Sequence, residues 1–302
     1  MRIVVTGGSG MLGHNLLRQA VLSHEVWGSY HTHRVNVQGC AMFAMDVTAE
    51  ADSRDQLKAI RPHCVVHTAG LTDVDLCERS PQTARAINSE GTRITATIAE
   101  EMSAQLIYLS TDYVFDGEKG DYSERDAPSP VNHYGRSKLL GEELARQSCS
   151  RLLIIRTTMF GRKIPPRAGM MESLVDALRR GQAVTRFADQ YFSPLYTGQL
   201  SALILRFIEL GLTGLFHVGS SEKVSRFRFA EEVAEAFAPG KAKIRAVPFR
   251  QIDGLAMRPR DTSLVSKAIE DRLGIQLPTW RAGLAQLKRD WEILSDEGGV
   301  SR

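Results

Sequence analysis

The chain has few cysteines and no two of them close together: Cys40, Cys64, Cys77 and Cys149 are scattered over 302 residues without a C-x-x-C pair. That spacing argues against a zinc site or a disulfide framework and fits a reducing, cytoplasmic setting. An excess of one charge is also missing. The 38 Lys and Arg face 35 Asp and Glu, a net charge of +3, so nothing calls for a nucleic-acid partner. No apolar run approaches the roughly 20 residues of a membrane span; residues 200–210 are interrupted by Arg206 and Glu209, so no membrane partner is expected. A strand-like run from Arg2 to Val5 directly after Met1 leaves no room for a signal peptide. Internal repeats and low-complexity segments are lacking too. These absences leave an ordinary globular enzyme, 43% apolar and 24% charged, long enough for one large α/β domain with a smaller lobe.

What is present is alternation. Short β-branched or apolar runs at residues 3–5, 25–30, 41–45, 65–66, 106–109 and 152–155 read as strands. Helical stretches at 82–102 and 134–146 lie between them, and Met11-Leu12 with Leu16-Leu17 have helical spacing. Such alternation predicts βαβ crossovers and a doubly wound parallel sheet of the Rossmann type, covered on both faces. Past Thr157 the pattern loosens. Residues 161–169 read as a loop, 215–218 as a returning strand and 227–237 as a helix. The expected organisation is a cofactor domain over 1–157, its sheet completed by a strand near 214–219, and a mainly substrate-binding lobe over 158–302. Residues 241–260 carry Lys241, Lys243, Arg245, Arg250, Arg258 and Arg260 against Asp253 alone. They read either as a solvated basic surface or as a rim for an anionic substrate.

A glycine turn follows the first strand: Thr6-Gly7-Gly8-Ser9-Gly10-Met11-Leu12-Gly13. Glycines permit close approach to a pyrophosphate, and the following helix N-terminus offers unpaired N–H groups. The run parses as G-x-x-G-x-x-G through Gly7, Gly10 and Gly13, or as G-x-G-x-x-G through Gly8, Gly10 and Gly13. An NAD binder usually ends its second strand in a carboxylate that holds the ribose 2′-OH. Here Ser29-Tyr30-His31-Thr32-His33-Arg34 has none; Arg34 and the hydroxyls of Ser29 and Thr32 suit a 2′-phosphate. NADP(H) is therefore expected, with NAD(H) open. Asp46, after the third strand, either caps a helix or meets the adenine edge, and Val47 is placed beside it on the cofactor.

Tyr134-Gly135-Arg136-Ser137-Lys138 opens a helix and sets a phenol and an ammonium on one face. A nearby Lys⁺ should lower the phenol pKa and ready it for general acid–base work. Lys138 is also a candidate to hold the nicotinamide ribose. The run Leu109-Ser110-Thr111 ends a buried strand at the carboxyl edge of the sheet, where Ser110 or Thr111 can orient a substrate carbonyl.

These segments, with His67-Thr68-Ala69-Gly70 and Leu109-Ser110-Thr111-Asp112-Tyr113-Val114-Phe115-Asp116-Gly117, resemble the dTDP-4-dehydrorhamnose reductase family, of the extended short-chain dehydrogenase/reductase type. Arg156-Thr157, Asp189-Gln190, Gly214-Leu215-Phe216-His217 and Arg258-Pro259-Arg260 fall in the expected order, so the likeness covers nearly the whole chain. It implies NADPH-dependent reduction at C4 of a nucleotide-linked 4-keto-6-deoxy sugar, in polysaccharide or natural-product biosynthesis. Carried over, Thr111, Tyr134 and Lys138 are the catalytic set. Gly7, Gly10, Met11, Leu12 and Gly13 surround the pyrophosphate, with Ala69 and Gly70 along the cofactor. Val74, Asp75, Asp112 and Tyr113 flank the sugar, and Arg258 or Arg260 the nucleotide. Met159 stands where well-known members place a tryptophan against the sugar. Some members bind Mg²⁺ through glutamates at a dimer contact; the matching places carry Asn15, Gln199 and Asp290, so no metal is expected, and a homodimer is left open. The methionine adenosyltransferase β subunit shares the fold and motifs, so a non-catalytic NADP-binding regulatory role is the alternative. An epimerase or dehydratase is the third, disfavoured because Thr111-Asp112-Tyr113 supplies only one carboxylate.

Overall fold

Aliphatic runs too short for helices, bounded by turn residues, become the strands of one central sheet. In the computed structural model, which describes residues 1–163, 169–241, 243–291 and 293, these are β1 (Arg2–Thr6), β2 (Glu25–Tyr30), β3 (Cys40–Ala44), β4 (Cys64–His67), β5 (Gln105–Thr111), β6 (Leu152–Thr157) and β7 (Gly214–His217). The order is β7-β6-β5-β4-β1-β2-β3, and every pairing is parallel. The order reverses between β1 and β4, so their carboxyl ends frame the crevice in which open α/β sheets bind ligands.

Helices cover both faces because the central strands are apolar on both. Helix α1 (Met11–Ala20), and the helix Thr197–Glu209, share a core with β1, β5 and β6 through Leu16, Leu17, Ile107, Ile155, Ile204 and Phe207. On the opposite face, α2 (Glu50–Ile60), α3 (Gly91–Glu101) and α4 (His133–Ser148) pack through Leu57, Ile98, Ala99 and Ala145. Burying each such Leu or Ile contributes roughly 1.5–3 kcal/mol. The later part has its own cluster. There α5 (Met170–Arg179) and α6 (Arg226–Phe237) pack against a parallel strand pair, Ala183–Phe187 with Lys243–Val247, and α7 (Trp280–Asp290) packs on α6. Leu174, Leu178, Phe229, Val233, Trp280 and Leu287 form that core. Among the described residues no helix is long and apolar enough to cross a membrane.

Several expected elements differ. The third strand starts and ends one residue early, at Cys40–Ala44, and β5 runs on through Ser110 and Thr111, which pair with Arg156 and Thr157. The single helix expected over 82–102 is three pieces: Pro81–Arg85, a π-turn at Ala86–Glu90, and α3. Asn88 lies in the π-turn, fully buried. Its Oδ1 accepts from Leu71 N–H at 2.7 Å while Nδ2 donates to Leu71 O at 3.0 Å and Ser137 Oγ at 2.9 Å. From that widened turn, Asn88 joins the loop after β4 to α4. Of the loop expected at 161–169, residues 164–168 lie outside the described residues. Residues 161–163 are irregular, and Gly169 caps α5.

Candidate active site

The glycine turn is built by close approach. Gly7 has φ +69°, and a Cβ there would lie 2.7 Å from Ala69 N, so a side chain would collide with the segment that follows β4. A Cβ on Gly13 would lie 2.4 Å from Gly7 O, which shows how tightly α1 springs from the turn. The positive φ falls on Gly7, the first glycine of the G-x-x-G-x-x-G parsing. No side chain caps α1, whose N-cap is Gly10, so its first N–H groups are left for an anion. The turn, the uncapped ten-residue helix and the adjoining Ala69 and exposed Gly70 fit a dinucleotide pyrophosphate. Met11 and Leu12 form the first turn of that helix.

Toward the far end of this crevice the expected partners separate. Ser29 is 1% exposed and its Oγ accepts from Gly7 N–H at 3.3 Å, so it braces the turn instead of reaching a 2′-phosphate. Thr32 and Arg34 are exposed just beyond β2. Asp46 does not cap a helix, because the N-cap of α2 is Ala49. Instead its Oδ1 accepts from the N–H and hydroxyl of Thr48 at 2.9 and 2.7 Å, bonds that hold its carboxyl below the usual range. Val47 is buried in the core, where Gly91 leaves room for its side chain.

Thr111 ends β5 beside the Tyr134 phenol, to which it is hydrogen-bonded, and Lys138, one turn further along α4, reaches the Tyr108 ring of the same strand. Thr111 Oγ1 accepts from Tyr113 N–H and donates to Asp112 Oδ1, both at 3.1 Å. Thr262 Oγ1 donates to Asp112 Oδ2 at 2.5 Å, and burial raises that carboxyl to about 6. The rings of Tyr113 and Tyr134 stand edge to face, 5.9 Å apart. Lys138 is 5% exposed with its Nζ 4.1 Å from the Tyr108 ring centroid. Burial lowers it to about 7, opposed by the charge of Glu142. The expected lowering of the Tyr134 pKa is reversed: burial pushes the phenol up, and the Thr111 hydroxyl only partly offsets this. Hydrogen bonds also distinguish Ser110 from Thr111. Ser110 Oγ donates to Glu142 Oε1 at 2.5 Å inside a buried pair of Glu142 with Arg156, leaving Thr111 beside the phenol.

Next to this cluster opens a cleft of about 1500 Å³, lined by Val74, Tyr113, Arg186, Gln190, Arg226, Arg250, Asp253 and Arg258, among others. Arg226 sits 3.7 Å over the Phe192 ring, and its charge acts against the burial of Asp112 and Tyr113. Arg258 pairs with Asp75 at 2.9 Å, whereas the exposed Arg260 pairs with Asp189 at 2.7 Å. Residues 241–260 thus divide: Lys243 and Arg245 are exposed on the edge strand, and Arg250 and Arg258 face the cleft. Met159 packs against the main core and pairs with Leu195. Asn15 and Asp290 are engaged elsewhere, Asn15 Nδ2 with Met11 O and Asp290 with the Tyr196 hydroxyl, both at 2.9 Å.

Arg186, Arg226, Asn88 and Asn132 were not singled out by sequence reasoning. Arg186 lies on the strand Ala183–Phe187 and Arg226 opens the helix Arg226–Phe237, neither within a motif or spacing signal, and Asn132 sits two residues before Tyr134 as an unremarked helix cap.

Comparison with known proteins adds three findings. The family model described as the RmlD substrate binding domain matches residues 1–292. The probable low-salt glycan biosynthesis reductase Agl14 of Haloferax volcanii is 32% identical over 95% of this chain and 97% of its own. Among solved structures, a hypothetical dTDP-4-dehydrorhamnose reductase from Sulfolobus tokodaii has TM-score 0.82 at 36% identity, over 94% of this chain and 99% of that one. The dTDP-4-dehydrorhamnose reductase of Bacillus anthracis, in complex with NADP, also has TM-score 0.82, at 27% identity over 96% and 99%.

Proposed function

The chain belongs to the family described as the RmlD substrate binding domain, that of the dTDP-4-dehydrorhamnose reductases, and from that premise we propose that it uses NADPH to reduce the 4-keto group of a nucleotide-linked 4-keto-6-deoxy sugar. It is an NAD(P)H-dependent oxidoreductase; the proposal concerns its substrate, its cofactor preference and its working residues. One observation supports the reading: Tyr113, which touches both Thr111 and Tyr134, lines a cleft with four arginines, Arg186, Arg226, Arg250 and Arg258, while an uncapped helix follows the glycine turn of the same sheet. Pyrophosphate chemistry suits both the turn and the cleft. Residues 1–157 hold mainly the cofactor and 158–302 mainly the substrate.

The nicotinamide, when bound, supplies the hydride. Thr111 exchanges its bond to Asp112 for one to the substrate carbonyl and orients it. Tyr134, kept protonated by burial, gives its proton to that oxygen as it becomes an alkoxide, a stronger base than a phenolate. Lys138 holds the nicotinamide ribose and, as an ammonium, stabilises the phenolate left behind. Val74, Tyr113 and Asp112 flank the sugar, while Arg226 and Arg258 meet the diphosphate.

Absorbance-followed NADPH oxidation with enzymatically prepared dTDP-4-keto-6-deoxy sugar tests the reading. Turnover is expected; tight NADPH binding without turnover of this or related 4-keto sugars would overturn it. Arg226→Ala should raise the KM for the nucleotide sugar about 10–100-fold, the equivalent of one charge-assisted hydrogen bond. An unchanged KM would remove Arg226 from the diphosphate site. Arg34→Ala should raise the KM for NADPH at least ~10-fold more than that for NADH, because only NADPH carries the 2′-phosphate. Equal shifts for the two cofactors would dispose of the NADP preference.

A further inference from the structure

A ring of hydrogen bonds ties the start of α4 to the wall of the cleft. Asn132 is fully buried and uses both ends of its amide. Its Oδ1 accepts from Gly135 N–H at 2.9 Å, capping the helix, while Nδ2 donates to Met257 O at 2.8 Å. The N–H of His133 donates to Glu78 Oε2 at 3.0 Å. Glu78 lies on the short helix Val74–Arg79 with Asp75, which accepts from Ala256 N–H at 3.0 Å and pairs with Arg258. The circuit closes on Met257, between Ala256 and Arg258.

Residues 251–258 form a strap along the cleft, to which Gln251, Asp253, Leu255 and Arg258 contribute. The strap buries little: Ile252 is 52%, Leu255 47% and Met257 53% exposed. A segment with so few buried apolar contacts depends on its polar anchors for order. For capping alone, Ser or Asp would serve as well as Asn. What Asn adds is a second bond, made by an amide donor to a carbonyl 125 residues away. A buried donor left without its acceptor is costly, so the helix start and the strap are held together.

We propose that Asn132 is a positioning residue: a nucleoside diphosphate held against the strap orders, through Asn132, the first turn of α4 and with it the Tyr134 phenol. This rests on reading the cleft as the nucleotide site. It would let binding energy from the non-reacting half of the substrate act at the carbonyl.

Asn132→Ser keeps the cap and removes the amide donor, and hydrogen–deuterium exchange reads both ends of the circuit. In the native chain, thymidine diphosphate should slow exchange in the strap and at amides 135–138. In the serine variant the strap should still be protected while protection at 135–138 is lost. With the keto sugar, kcat should fall about 10-fold, as expected for a misplaced acid, with NADPH affinity within about 2-fold of native. Undiminished protection at 135–138 in the variant overturns the coupling alone. Absence of strap protection in the native chain with either thymidine or uridine diphosphate overturns the cleft reading, and the proposal with it. Should the serine variant not fold, Asn132→Asp also caps and also lacks the donor, and gives the same comparison.

Discussion

Replacing Tyr134 with phenylalanine lowers turnover by about 10²–10⁴-fold, the range for losing a general acid, while cofactor affinity and thermal stability stay near native. Only one oxygen is removed, and the ring that stands against Tyr113 at 5.9 Å is retained. The size of the effect follows from the burial that keeps this phenol protonated through the neutral range. Without it, the developing alkoxide has no aligned proton source. The neighbouring groups that titrate near neutrality are Asp112, at about 6, and Lys138, at about 7. Asp112 stays bonded to Thr262 at 2.5 Å, which holds its carboxyl back from the carbonyl even after Thr111 has turned to the substrate. Single-turnover NADPH oxidation is the measurement, because it isolates the chemical step from product release. A variant that reduces the keto sugar at near-native rate would remove Tyr134 from its role.

Glu142→Ala should cost about 3–5 kcal/mol of stability, because it strands a buried cation. The Glu142 carboxylate is 0% exposed and the Arg156 side chain 3% exposed, joined by two bonds of 2.9 and 2.8 Å. Ser110 loses its acceptor in the same change. Urea unfolding measures the loss; a cost below about 1 kcal/mol would mean that Arg156 finds water or another partner. Replacing both Glu142 and Arg156 by apolar residues of similar volume should recover much of the stability, as a paired burial is costly in itself. The milder Glu142→Gln has a second signature. Glu142 is the charge that keeps Lys138 from falling further. Removing that charge favours the neutral amine, so the limb of the pH–rate profile that belongs to Lys138 moves to lower pH.

The parts of this protein legible in the sequence were those that local chemistry decides. Ile3-Val4-Val5 followed by Gly7 is readable as strand and turn because β-branched residues and a glycine-requiring φ are properties of single positions. The spacing of Tyr134 and Lys138 is readable because a helix puts i and i+4 on one face. The continuous helix read over 82–102 went wrong for a physical reason. Every residue there tolerates a helix, and the π-turn carries Asn88, whose amide bonds Leu71 and Ser137, partners that the chain brings near only in three dimensions. Ser29 followed the same rule: its type suggested a ligand, and Gly7, 22 residues away, set its bond. Asp46 differs, since its bonds run to Thr48 two residues on, a local turn that competes with the capping role its type suggested.

By itself, then, the sequence determined a parallel α/β sheet, a phosphate turn and the helix bearing the phenol, since each depends on hydrophobic period, glycine conformation or helical geometry. Tertiary structure decided the protonation of that phenol, the separation of Ser110 from Thr111, and the gathering of Arg186, Arg226, Arg250 and Arg258 around one cleft. Those outcomes turn on desolvation and on contacts between segments far apart in the chain, such as Asp112 with Thr262, 150 residues away, and Asp75 with Ala256, 181 residues away, which leave no trace in local spacing.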